Sequence, residues 1–185
     1  KDSASCESKS RIMSIHDKKG GLMIFQHTYE QVMNDRKTQT RRLFKEGDYG
    51  WVCGEASNGK LRYSQVSNQQ GDKIFNRWTV GKTYAVQPGR GQKAIGRIHI
   101  LDIRREDVRN ISHEDVKAEG FIDRSHFTLT WCNMHDKKLN LLWYDCFHWE
   151  QDGEWHEGFE EFYDYLKTRP IEFYRAWVIT FEVLR

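Results

Sequence analysis

With 185 residues, 29 Lys and Arg against 27 Asp and Glu, and a formal net charge of +2, the chain is sized for one domain. It is too near neutrality for a histone-like coat on duplex nucleic acid, although a local basic groove remains compatible. Hydrophobic residues make up 38%, including 10 Phe, 8 Tyr and 7 Trp. That supplies a packed core and excludes a wholly disordered chain, and no apolar run is long enough to cross a bilayer, so no membrane or lipid partner is expected.

Residues 1–20 are polar, lack apolar periodicity and predict a mobile tail without a secretory signal, ahead of a single domain over 21–185. Leu22-Met23-Ile24-Phe25 reads as a short strand. Thr28-Tyr29-Glu30-Gln31 reads as a capping box, with Thr28 accepting from the Gln31 amide, and opens a short helix to about Asn34. A basic segment follows, Arg36-Lys37-Thr38-Gln39-Thr40-Arg41-Arg42. Tyr49–Cys53 reads as a strand after the Gly47-Asp48 turn, and the polar stretch 54–73 as a long hairpin or loop.

Thr83–Gln87 and Ile95–Ile103 predict further strands. Ser112 predicts an N-cap, and Gly120 a left-handed stop to the helix between them. Residues 125–147 are expected to be helical, within an aromatic-rich insertion over about 125–165. Phe159–Leu166 predicts a helix ended by Pro170. The last segment alternates, with Trp177, Ile179, Phe181 and Val183 on one face, which predicts a strand with that face inward. Strands and helices without regular alternation indicate an α+β domain or a small barrel.

Four cysteines, Cys6, Cys53, Cys132 and Cys146, show no pair spaced by two residues, in a chain too large to need a disulfide framework. The expectation is a reduced, cytoplasmic protein whose thiols act as small buried hydrophobes. Cys132-x-x-His135 and Cys146-x-His148, with His126 and His156 as alternatives, depart from Cys2His2 zinc spacing. No metal or other cofactor is expected.

The basic segment, then Gly47-Asp48, Tyr84-Ala85-Val86-Gln87-Pro88-Gly89-Arg90, Gly96 with Ile98, Ile111-Ser112-His113-Glu114-Asp115 and Glu119-Gly120-Phe121 form an ordered set. This set resembles the ASCH domain over roughly residues 22–122, with the last strand similar to its closing strand. The resemblance implies a PUA-like small β-barrel with short flanking helices, and a cleft for a nucleoside or RNA. One small bacterial branch of that family hydrolyses the amide of N4-acetylcytidine. Matched to its Lys-x-x-Thr signature and its Glu, the catalytic set here would be Lys37, Thr40 and Glu119.

The residues carry their own chemistry. A threonine hydroxyl needs an activating base, and lysine can be one when burial or neighbouring cations such as Arg36, Arg41 and Arg42 lower its pKa. In an ideal strand Lys37 and Thr40 point to opposite faces, so a shared site requires an irregular segment. Glu119 sits at the expected C-terminus of a helix, where a carboxylate is disfavoured by about 0.3–1 kcal/mol; pairing with Lys117 or an arginine would answer that equally well. Arg36, Thr38 and Arg41 are candidate cleft residues of the same segment. Arg90, on a tight turn, suits a phosphate or a base edge. Trp51, Tyr84 and Trp78 could each stack a base or belong to the core. An amidohydrolase on an acylated cytidine and a non-catalytic RNA-binding module are both compatible with this pattern.

Overall fold

The computed structural model describes residues 21–26, 28–57, 59–135, 141–143, 147–151 and 154–185; the tail expected over 1–20 lies outside the described residues. The fold is α+β, built on an eight-stranded, mostly antiparallel sheet. Its main path runs β1 (Leu22–Ile24), β6 (Thr83–Gln87), β7 (Gly96–Asp107), β11 (Arg175–Leu184), β2 (Gln39–Leu43). Only β1 and β6 pair in parallel. A meander of β3 (Asp48–Glu55), β4 (Leu61–Gln70) and β5 (Lys73–Thr79) joins this path through β4 and β7. The polar stretch expected as a hairpin or loop is therefore the centre of that meander. The pairings leave the sheet open.

Four helices accompany the sheet among the described residues: α1 (Tyr29–Met33), α2 (His113–Ala118), α3 (Arg124–His135) and α4 (Phe159–Thr168). The Ser112 hydroxyl caps α2 by accepting from the Asp115 amide at 3.2 Å, and Gly120 follows at φ 86°, as expected. Thr28 differs from expectation. Its φ of −136° and ψ of 15° lie outside the extended conformation of a capping residue, and its side chain makes no cap bond. The insertion also differs. Helix α3 stops at His135, and β8 (Leu141–Trp143), β9 (Phe147–Gln151) and β10 (Glu154–Glu157) form a separate antiparallel three-stranded sheet. Their short aromatic-rich runs suit a pleated surface as well as a helix.

Strand β11 separates two core layers. Trp177, Ile179 and Phe181 are buried on one face with Ile98, Ile100 and Ile103 of β7, and Val183 packs half-buried against the same layer. Ala176, one step out of phase, belongs to the other layer with Phe127, Trp131, Phe162 and Leu166 of α3 and α4. The inward register of β11 is as expected, and the helices additionally cover the start of its second face. Not all thiols are buried as expected: Cys132 lies in the helical layer, but Cys53 is exposed on β3, where side chains turn to solvent. No helix among the described residues is long and apolar enough to cross a membrane.

Trp177 anchors the first layer. It is fully buried, stacks on Phe44 at 5.4 Å, meets the Tyr63 ring edge-on at 5.1 Å and donates its indole N–H to Asp48 at 3.2 Å. Trp177→Ala should lower stability by about 3–5 kcal/mol, measured as a lower urea midpoint at unchanged slope. A loss under about 1 kcal/mol would contradict this packing.

Candidate functional site

The site begins in the irregular segment between α1 and β2. Asp35 adopts φ 57°, a left-handed conformation uncommon outside glycine, and reverses the chain. The amides of Arg36 and Lys37 then both donate to the Gln31 carbonyl, at 2.9 and 3.0 Å. The Thr38 amide donates to Ala118 at the end of α2, at 2.8 Å, and the Thr38 carbonyl accepts from Phe181 of β11, at 2.9 Å. These bonds deliver the Lys37 side chain beneath α2, where its ammonium pairs with the Glu119 carboxylate and donates to the Glu119 carbonyl at 2.7 Å. The left-handed Gly120 lets the chain turn away there; a Cβ on it would lie 3.4 Å from the Cβ of Lys37.

Arg41, on β2, extends the network. Its guanidinium donates to Glu119 at 3.1 Å, to Asp115 at 2.9 Å and to Glu106 of β7 at 2.5 Å. Asp115 also accepts from Arg104 at 2.7 Å, and Glu106 from Lys60 at 3.0 Å. Lys37, Arg41, Glu106 and Glu119 are all buried. Charges in such surroundings persist only when paired. Burial pushes the Lys37 ammonium below its ordinary pKa, against the opposing pull of Glu119. Burial works against charged Arg41 too, but Glu119, Glu106 and Asp115 outweigh it and raise its pKa. Asp115 is held below the usual carboxylate range because Arg41 and Arg104 overcome its burial.

Lys37, Thr40, Arg41 and Glu119 all line a cavity of about 730 Å³. Its remaining lining mixes aromatic and apolar side chains with polar ones, drawn from β1 and the residues after it, from Gln31 of α1, from Arg42 and Leu43 of β2 and from the segment 120–135 that contains α3. Phe127, Trp131 and His135 lie at i, i+4 and i+8 on one stripe of α3, with ring centroids 6.2 and 4.3 Å apart in succession. The Trp131 indole donates to the Phe173 carbonyl at 2.9 Å, which fixes that ring. The His135 imidazole is pushed below its ordinary pKa by burial and by Arg42, which keeps it neutral at pH 7.

The other residues expected in a cleft lie elsewhere. Arg36, Thr38 and Arg90 are exposed outside this cavity. Tyr84 is buried in the sheet core, and its hydroxyl accepts from the Thr79 amide at 2.9 Å. Trp78 is likewise core, under the Arg77 guanidinium at 4.1 Å. Trp51 is exposed on β3, beside Tyr49 at 6.0 Å. Arg42 and the α3 stripe are among the cavity residues that sequence reasoning passed over as ligand contacts. The i, i+4, i+8 spacing of two aromatics and a histidine was the available signal. Among the described residues no group of three His, Cys, Asp or Glu side chains is placed to hold a metal; Cys146 lies outside them.

Comparison of the chain with protein-family models, with curated proteins and with solved structures returned no match.

Removing one member of a buried pair leaves an uncompensated charge. Glu119→Gln should therefore cost about 3–5 kcal/mol of stability, and adding Lys37→Met should recover part of that loss. A urea double-mutant cycle checks this, and strict additivity would contradict it. Lys37 also sets a pH slope. Its folded pKa lies below the ordinary 10.5, so between the two values the unfolded chain binds the extra proton. Stability contributed by this group should rise as pH climbs through the folded pKa towards 10.5. The wild type should therefore gain on Lys37→Met over that range, read by urea unfolding at each pH.

Proposed function

We propose that the cavity is a nucleoside cleft, that the chain is a divergent ASCH-like domain with a PUA-like barrel ancestry, and that it hydrolyses the amide of an N4-acylated cytidine. One observation carries this reading: Lys37, Thr40 and Glu119, picked from a sequence pattern, line one cavity together with an aromatic wall. Such a wall suits the face of a planar base, and fixed polar groups beside it suit the edge.

In the proposed reaction the Thr40 hydroxyl oxygen attacks the amide carbonyl carbon, and neutral Lys37 takes the hydroxyl proton. The tetrahedral intermediate collapses with cleavage of the C–N bond, and the Lys37 ammonium returns a proton to the departing cytosine amine. Water then hydrolyses the acyl ester on Thr40, releasing a carboxylic acid. Burial supports Lys37 as the base, because it lowers the pKa towards the range where the neutral amine is populated. Glu119 holds the lysine by its carbonyl and carboxylate, leaving the ammonium's remaining direction for Thr40 or substrate. The pairing of Lys37 and Arg41 with carboxylates counts against a long RNA tract as ligand, since tract binding depends on free cations.

The test follows free cytidine by chromatography from N4-acetylcytidine. Thr40→Ala should abolish turnover and Thr40→Ser should keep some. Lys37→Ala should cost on the order of 10²–10⁴-fold, and Lys37→Arg should not rescue it, since arginine stays protonated. Wild-type rate should rise with pH as Lys37 deprotonates. Full activity in Thr40→Ala refutes the mechanism. A wild type that binds cytidine without turnover leaves a binding cleft, and one that binds only RNA refutes the cleft.

A further inference from the structure

The cavity's cations differ in what neutralises them. Lys37 pairs with Glu119, and Arg41 with Glu106, Asp115 and Glu119. Arg42, beside Arg41 on β2 and also lining the cavity, has no carboxylate within ion-pair distance among the described residues. One guanidinium nitrogen, Nη2, donates to the Ile24 carbonyl at 2.6 Å. The guanidinium also lies 5.2 Å from the centroid of the Phe25 ring, itself part of the cavity wall. Its Nε is buried without a hydrogen-bond partner among the described residues.

We propose that Arg42 is the anion subsite of this cavity, and that the ligand is a nucleoside monophosphate rather than a free nucleoside. This deepens the reading of the cavity as a nucleoside cleft and rests on it. A buried charged donor left unsatisfied is destabilising, and a ligand oxyanion supplies both the missing acceptor and the missing charge. The planar guanidinium fork matches two phosphate oxygens at once, which a point-charge ammonium does not. Two constraints already fix the fork, the Ile24 carbonyl and the Phe25 ring, so little side-chain freedom remains to be lost on binding. Burial pulls the Arg42 pKa down to about 10 against the opposing charge of Glu119, with Arg77 adding to the fall, and the group is still charged at pH 7. Neutral His135 across the cavity adds no competing cation.

Calorimetric titration with cytidine and with cytidine 5′-monophosphate tests the proposal on wild type, Arg42→Gln and Arg42→Lys, each checked for native folding by circular dichroism. Wild type should bind the monophosphate roughly 10- to 100-fold more tightly, the range of a charge-assisted hydrogen bond at tenfold per 1.4 kcal/mol. Arg42→Gln should erase that preference, and Arg42→Lys should retain only part of it. Inorganic phosphate should compete with the monophosphate and not with cytidine. Equal affinity for both ligands in wild type overturns the proposal and leaves the nucleoside cleft intact. A preference that survives Arg42→Gln places the phosphate elsewhere and overturns it as well. Folded wild type that binds neither ligand overturns the proposal together with the cleft.

Discussion

A single guanidinium, that of Arg41, ties β2 to two elements far along the chain, β7 and α2. It holds Glu106 on β7, Asp115 inside α2 and Glu119 at the end of α2, across sequence separations of 65, 74 and 78 residues. Five donors in a rigid plane make this possible; a lysine at the same position could not span the three carboxylates. The cost of burying so many charges is offset only because the network is closed. Arg104 completes Asp115, Lys60 completes Glu106 and Lys37 completes Glu119. Remove Arg41, and three carboxylates crowd one buried space with fewer cations than they need.

The position of Glu119 follows from this arrangement. At a helix C-terminus the dipole disfavours a carboxylate by about 0.3–1 kcal/mol. Two buried cations outweigh that term, so the placement is stable without being a simple helix cap. Glu119 in turn fixes Lys37, and through Lys37 the irregular segment that leads into β2. Gly120 then releases the chain into Phe121 and α3, whose aromatic stripe faces the same cavity. The charged floor and the aromatic wall are therefore consecutive consequences of one turn.

Much of this was legible locally. The alternation in β11 marked its inward face, and Ser112 and Gly120 marked the ends of α2, because each depends on residues a few positions apart; Lys37 and Thr40, which both line the cavity, were reached through the resemblance and not through their spacing. The difference between Arg41 and Arg42 was not legible locally. Neighbours on a strand point to opposite faces, and which of the two meets carboxylates is decided by elements some 65 to 78 residues away. Tyr84 and Trp78 illustrate the same limit: an aromatic on a strand is equally suited to core or cleft until the other layer is placed. Strands β8, β9 and β10 escaped for a different reason, since short aromatic runs satisfy helix and strand patterns alike.

The way the cations are used also determines what kind of recognition the cavity can perform. Exposed, unpaired cations attract any polyanion and lose that attraction as salt rises. Lys37 and Arg41 are withdrawn from such use by their carboxylates. What they offer instead is fixed geometry in a low-dielectric space, where a matched hydrogen bond is stronger than in water and an unmatched polar group is more costly. On the proposed nucleoside reading, discrimination would rest on the shape and edge of the ligand against the rings of Phe127, Trp131 and His135, which line the cavity. Burial governs reactivity by the same route. Glu119 favours the charged form of Lys37 and desolvation disfavours it, with desolvation prevailing. The group that needs a partner to be tolerated in the core is thus also one whose proton burial makes easier to remove.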